Sequence, residues 1–171
     1  MNRIFPIFIL ALCTIGFSGC ASYKLGHGGQ TQFSSIYVVP IKNASFAPQA
    51  APIVGRTLIQ AIAGRGETAI ASEEQAGAVL VVTLVDYSRR TTTNRIDDTG
   101  RGLGTRLTLR ATATLTNQKT SEVIFKDRIF EAEATAYDVA GGTLNDAEYG
   151  TLTNLADNLS SKIADAVTSD W

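Results

Sequence analysis

Residues Arg106 to Asn117 read "RLTLRATATLTN" and alternate without a break. Leu107, Leu109, Ala111, Ala113 and Leu115 fall on one parity, and Arg106, Thr108, Arg110, Thr112, Thr114 and Thr116 on the other. Side chains of a strand point to opposite faces in turn, so this pattern predicts a half-buried β-strand with one apolar and one wet face.

The neighbours on either side extend that strand into a meander. Upstream, "SEEQAGAVLVVTLVDYSRRTTTNRI" (72–96) opens on a strand that is apolar on both parities from Val79 to Val85. Such a strand is covered on both faces or central to its sheet. Between the two lies "DDTGRGLGT" (97–105), whose Asp pair and alternating glycines read as a hairpin tip. A phosphate loop needs a strand-to-helix change after its glycines, and none follows here. Downstream, "QKTSE" turns the chain and "VIFKDRIFEAEATAY" returns it. Val123, Phe125 and Ile129 share one parity while Phe130, Ala132 and Ala134 share the other, so a bulge is expected near Asp127-Arg128.

Two helices flank the meander. In "ASFAPQAAPIVGRTLIQAIAGRGET", Ile53, Leu58, Ile59, Ile62 and Ala63 recur at helical spacing, predicting an amphipathic helix from about Gln49 to Ala63 closed by Gly64. From Asn145 to Ser169 the apolar residues Leu152, Leu155, Ala156, Leu159, Ile163 and Val167 do the same, with Asn145-Asp146 placed to cap the start. A first strand, "SSIYVVPIKN", ends near Pro40. The order is strand, helix, strand, strand, strand, helix. A strand-helix-strand start gives a right-handed parallel pair. The expectation is a two-layer α+β sandwich: a four-stranded mixed sheet with both helices on one face.

The first 19 residues are of a different kind. Arg3 precedes an almost wholly apolar run from Ile4 to Phe17, the length of a secretory signal and short of the roughly 20 residues a membrane span wants. It closes on "GFSGCAS" (16–22), small residues followed by Cys20. Cys13 lies inside the apolar run, so the exported chain keeps one cysteine and has no intramolecular disulfide. The stretch resembles a bacterial lipobox, which implies that Cys20 becomes the lipid-bearing first residue. Several acyl chains on one residue anchor stably where one is marginal. Residues 20–34 are rich in Gly, Ser, Thr and Gln and read as a flexible tether to a single domain spanning 35–171.

Removing 19 of the 171 residues leaves 152, enough for one domain with a substantial core. Only Arg3 of the 15 Lys and Arg is lost, so 14 cations face 16 acids and the formal charge is −2. Nucleic-acid binding by bulk charge is excluded. His27, the one histidine, falls in the tether, and no Cys/His metal spacing or nucleophilic cluster is present, which points to a non-enzymatic protein without metal or cofactor. The acid pairs Asp97-Asp98 and Glu73-Glu74 sit at turns. The one local concentration of charge is basic. Arg89, Arg90, Arg95, Arg101, Arg106 and Arg110 all belong to the proposed hairpin, and a turn centred near residue 100 would bring Arg90 toward Arg110 and Arg95 toward Arg106, with the register itself left open. Converging guanidinium forks suit phosphate or carboxylate, and the alternative is a solvated hairpin kept soluble by arginine and threonine.

The mature chain resembles the LptE-type lipopolysaccharide-assembly lipoproteins. Four pieces carry the resemblance in order: Cys20 with an aromatic and a Gly-containing tether; "IYVVPIKNASFAPQ"; "EEQAGAVLVVTLVDYSR"; and "LTLRATATL" leading to the terminal helix. The resemblance implies an outer-membrane lipoprotein on the periplasmic side, partner and plug of an LptD-type β-barrel, with lipopolysaccharide as a possible ligand. Arg89, Arg90, Arg95, Arg106 and Arg110 are then the ligand-facing candidates. Ala21 after the anchor, in place of Asp, points to the outer membrane by the same resemblance. The strand-helix start is shared with other envelope lipoproteins, so the alternative is a periplasm-facing interaction module for a cell-wall synthase or an ABC transporter.

Overall fold

The computed structural model describes residues 32–92, 104–137 and 144–169. Residues 1–31 with Cys20, residues 93–103 of the hairpin with Arg95 and Arg101, and the Asn145 and Asp146 side chains lie outside what it describes.

Strand β1 (Ser35–Val38) is followed by β2 (Lys42–Asn43), helix α1 (Ala50–Gly64), β3 (Ala69–Ile70), β4 (Ala78–Thr92), β5 (Gly104–Asn117), β6 (Val123–Tyr137) and helix α2 (Leu144–Thr168). The sheet runs β3-β1-β4-β5-β6, with β2 also on β4. β1 and β4 pair in parallel, and β4, β5 and β6 form the antiparallel meander. The α+β class, the two helices and the mixed sheet are as expected; the strand count is six rather than four. Both additions are two residues long, too short for any periodicity to announce them. β2 exists because Pro40 has no N–H to donate. Val39 still donates to Leu80, pairing lapses at the proline, and it resumes at Lys42 opposite Thr83. β3 adds to the outer edge of β1, where Ala69 donates to Ser34 and Ala71 to Ile36.

One face of the sheet is dry. Leu80, Val82 and Leu84 of β4 and Leu107, Leu109, Ala111, Ala113 and Leu115 of β5 are all buried, in one cluster with Val54, Leu58 and Ile62 of α1 and Leu152, Leu155, Leu159 and Ile163 of α2. The six residues expected to face inward from the C-terminal helix are all buried. α1 is rotated slightly from the expected stripe: Ala50, Val54, Thr57, Leu58 and Ile62 are buried, whereas Ile59 is 41% exposed and Ala63 is exposed. The helix ends through Gly66, at φ +70°, whose N–H donates to Ala63, so the left-handed stop falls two residues beyond Gly64. The chain joins the core before β1, since Phe33 is buried and its Cβ would sit 3.2 Å from a methyl placed on Gly77. Gly77 also donates to the Ser35 carbonyl at 3.0 Å, a close approach that a side chain would obstruct.

Three register shifts interrupt the long strands, one between β4 and β5 and two between β5 and β6, where Leu115 opposite Phe125 and Thr116 opposite Val123 leave Ile124 over. In β6, Ala113 faces Arg128 and Leu115 faces Phe125, so Lys126 and Asp127 stand opposite Thr114 alone. Asp127 takes φ 48° and its N–H donates to Thr114 Oγ1 at 3.1 Å. This is the expected irregularity, and it brings Phe125 and Phe130, five residues apart, to the same buried face in an edge-on contact of 6.4 Å. In β4 the register passes from Leu84 opposite Ala111 to Asp86 opposite Arg110, leaving Val85 as the extra residue. The sequence pattern had not announced this bulge.

The helices meet over a polar pair. Thr57 Oγ1 and Ser160 Oγ lie 2.7 Å apart, both buried, and Ser160 also donates to the Val54 carbonyl. At the end of α1, Arg65 pairs with Asp165 and donates to the Ser161 carbonyl, locking the two helices side by side. Thr57→Val removes one buried hydroxyl and leaves the other only its long bond to the Val54 carbonyl, so urea unfolding should show a loss of about 1–3 kcal/mol. The double variant Thr57→Val/Ser160→Ala should recover most of that loss, because no polar atom is then left without its partner.

Candidate functional site

The Val85 bulge decides where the arginines go. Before it, even-numbered residues of β4 face the core; after it, odd-numbered ones do. Tyr87 therefore pairs with buried Leu109 and Arg89 with buried Leu107, on the helix side of the sheet. Ser88 and Arg90 fall on the opposite, outer face, opposite Thr108 and Arg106. Arg90 faces Arg106, not Arg110, because the hairpin pairs four residues away from the register expected for a turn at residue 100. The five candidates thus divide: Arg89 on one face, Arg90, Arg106 and Arg110 on the other, and Arg95 beyond the described residues.

On the outer face, Arg110 is already engaged. Its Nε donates to Glu131 Oε2 at 2.9 Å and a terminal nitrogen to the same oxygen at 2.5 Å, with Asp86 opposite on β4. The hydrogen bond and charge of Glu131 push the Arg110 pKa further up. Arg90 and Arg106 are exposed, and among the described residues no ion pair joins either to an acid. Like charges directly opposite across an antiparallel pair repel. Two facing guanidiniums with no counter-ion among the described residues make a donor-rich spot suited to phosphate or carboxylate.

The helix side carries a second, different arrangement. Arg89 donates to Glu148 Oε2 on α2 at 2.9 Å. Glu148 is 9% exposed, and its other oxygen, Oε1, is buried with no hydrogen-bond partner. A buried acceptor left unmet costs about 1–3 kcal/mol, more when charged. Around the pair, Phe46, Gln49, Tyr87, Tyr149 and Leu152 line a recess of about 290 Å³. Burial, and secondarily the Glu148 carboxylate, push the Tyr87 hydroxyl above its ordinary range and keep it protonated. Phe46 is 93% exposed on a loop that its neighbours hold rigid: Asn43 Nδ2 donates to the Ala47 carbonyl, while Ser45 donates to Asn43 Oδ1 through both its N–H and its hydroxyl. Of these residues the hairpin argument found only Arg89. Phe46 lies before α1 and Glu148 and Tyr149 lie in α2, so no local pattern links them; the exposed aromatic in "NASFAP" was the sole signal available.

Comparison with known proteins follows from this geometry. The LptE family, described as Lipopolysaccharide-assembly, matches residues 33–168, the whole of the domain from the buried Phe33 to the end of α2. The chain belongs to the LptE family. No curated protein sequence matches it. Among solved structures the LptE-family chain is similar to a DUF330 protein from Xanthomonas campestris, at 12% identity over 80% of this chain and 83% of that one, with TM-score 0.55. It is similar also to the PelC dodecamer from Paraburkholderia phytofirmans, at 14% identity over 82% and 92%, TM-score 0.52. Lipoprotein B from Nitrosomonas europaea aligns at 16% identity over 84% and 88%, TM-score 0.51. At these identities the likeness is one of fold.

Two outcomes test the electrostatics. Arg90→Thr relieves the cross-strand repulsion and should leave stability unchanged or raise it by a few tenths of a kcal/mol to about 1 kcal/mol in denaturant titration. Tyr87, with its pKa raised in the folded state, contributes stability that is fully present below the unfolded value of about 10 and is lost as pH rises through the folded one, since only the unfolded chain releases the proton in that window. Unfolding measured from pH 8 to 11 should accordingly fall less steeply above about 10 in Tyr87→Phe than in the wild type.

Proposed function

We propose that this LptE-family chain is a non-enzymatic lipoprotein held at the periplasmic side of the outer membrane by acyl chains on Cys20, where it partners and plugs an LptD-type β-barrel in lipopolysaccharide assembly. The observation that carries this reading is the family match across 33–168. It is supported by the Gly-Cys closure of the apolar leader. Among the described residues no helix is long and apolar enough to cross a membrane, so in this reading attachment falls to the acyl chains.

Within that role the outer face of the β4–β5 hairpin is the surface for lipopolysaccharide phosphate. Arg90 and Arg106 are its contacts, with Arg95, beyond the described residues, as a further candidate. Arg110 is occupied by Glu131, and Arg89 lies on the other face beside Glu148, so neither is offered to phosphate here. Binding of phosphate between Arg90 and Arg106 replaces repulsion with two bidentate pairs.

Affinity isolation of the acylated protein from detergent-solubilised outer membrane should retain a stoichiometric β-barrel. Recovery of a cell-wall synthase or a transporter ATPase complex without a barrel would overturn the partnership. Cys20→Ala should abolish acylation, read as the mass of the mature chain. Lipopolysaccharide binding to the purified protein should weaken about tenfold or more in Arg90→Ala/Arg106→Ala. Equal affinity in the double variant and the wild type would remove the hairpin from the ligand site.

A further inference from the structure

The recess beside Glu148 lies on the opposite side of the sheet from Arg90 and Arg106, so phosphate binding by those arginines leaves it unexplained. Its chemistry is distinctive. Glu148 and Arg89 already neutralise each other, so neither a bare cation nor a bare anion gains a net counter-charge there. What the pair lacks is a neutral donor for Oε1, the buried oxygen without a partner. Arg89 keeps half of its side chain in solvent, 53% exposed, and can turn further N–H donors toward an incoming oxygen. Gln49 supplies both a donor and an acceptor, and Tyr87 and the exposed rings of Phe46 and Tyr149 supply flat apolar faces. At about 290 Å³ the recess is at the lower bound of ligand pockets, room for one ring and not for an extended chain.

We infer that this recess binds a single pyranose ring of a glycan, its apolar face laid on Phe46 and Tyr149 and one of its hydroxyls donating to Glu148. A sugar ring is neutral, carries adjacent hydroxyls that donate to a carboxylate and accept from an arginine, and has an apolar face. Oε1 is covered in the present arrangement. A turn of the Glu148 carboxylate, which lines the recess, brings it to the ring, and the hydroxyl supplies the missing donor. The loop held by Asn43 and Ser45 presents Phe46 in advance, which lowers the cost of ordering it on binding. Two envelope glycans offer such a ring, the saccharide of lipopolysaccharide and the disaccharide of the cell wall.

The test is calorimetric titration of the full acylated protein in detergent micelles with three separate probes. These are core oligosaccharide released from lipopolysaccharide by mild acid, cell-wall disaccharide free of its peptide, and the stem peptide alone. Saturable binding of either saccharide is expected, and the one that binds identifies the source. Glu148→Gln should weaken it about tenfold. Phe46→Ala, at a position so exposed that the fold does not depend on it, should weaken it several-fold with an unchanged circular dichroism melt, and decides the matter should Glu148→Gln fold poorly. Three results overturn the inference: no heat from either saccharide up to ~10 mM, saccharide binding indifferent to Phe46→Ala, or binding of the stem peptide in place of the sugars.

Discussion

The constraint on which the rest of this structure depends is that β4, β5 and β6 must bury one face under two helices. β5 satisfies it without interruption, every second residue from Leu107 to Leu115 buried and the intervening threonines and arginines exposed or half-buried. Its neighbours carry the irregularities that reset their inward parity. The inward residues change from even to odd at Val85 in β4 and from odd to even between Phe125 and Phe130 in β6, while β5 between them keeps one parity. The helices close the layer through the Thr57–Ser160 pair and the Arg65 clamp, polar contacts that fix their relative register within an otherwise apolar seam.

The consequence for function comes from a single residue. Adjacent strand residues point to opposite faces in any case, and Val85, the inserted one, decides which goes where: Arg89 reaches through to Glu148 on α2, and Arg90 goes to the solvent side against Arg106. One strand therefore serves two surfaces of different chemistry. The outer surface is cationic at Arg90 and Arg106, which no acid among the described residues pairs, whereas the inner one is a neutral ion pair walled by aromatic side chains. Arg110, which composition alone groups with the others, is set apart by the acid that β6 places beside it.

Such a division fits a fold whose chemistry resides in side chains placed on it. The similar structures cover 80–84% of the chain at identities of 12–16%, a likeness of fold. Fold likeness of that kind does not transfer function. The family match spans the domain from Phe33 to Thr168, and the side-chain geometry supplies the particular surfaces.

The sequence by itself determined the class of the protein and most of its architecture. Period-2 alternation in 106–117, the long apolar strand before it and the helical spacing of Leu152, Leu155, Leu159 and Ile163 each follow from local geometry, so they could be read without a structure. The β6 bulge was legible too, because two apolar parities met at Asp127. The tertiary structure decided the two-residue strands, whose pairing partners are remote in sequence, and the Val85 bulge, which is silent where both parities of a strand are apolar. It decided also the hairpin register, four residues from the one expected, and with it which arginines meet. The recess is a tertiary matter throughout: Phe46, Tyr87 and Glu148 come from three elements, and only the closure of α2 over the sheet brings a carboxylate from near the end of the chain to an arginine 59 residues before it.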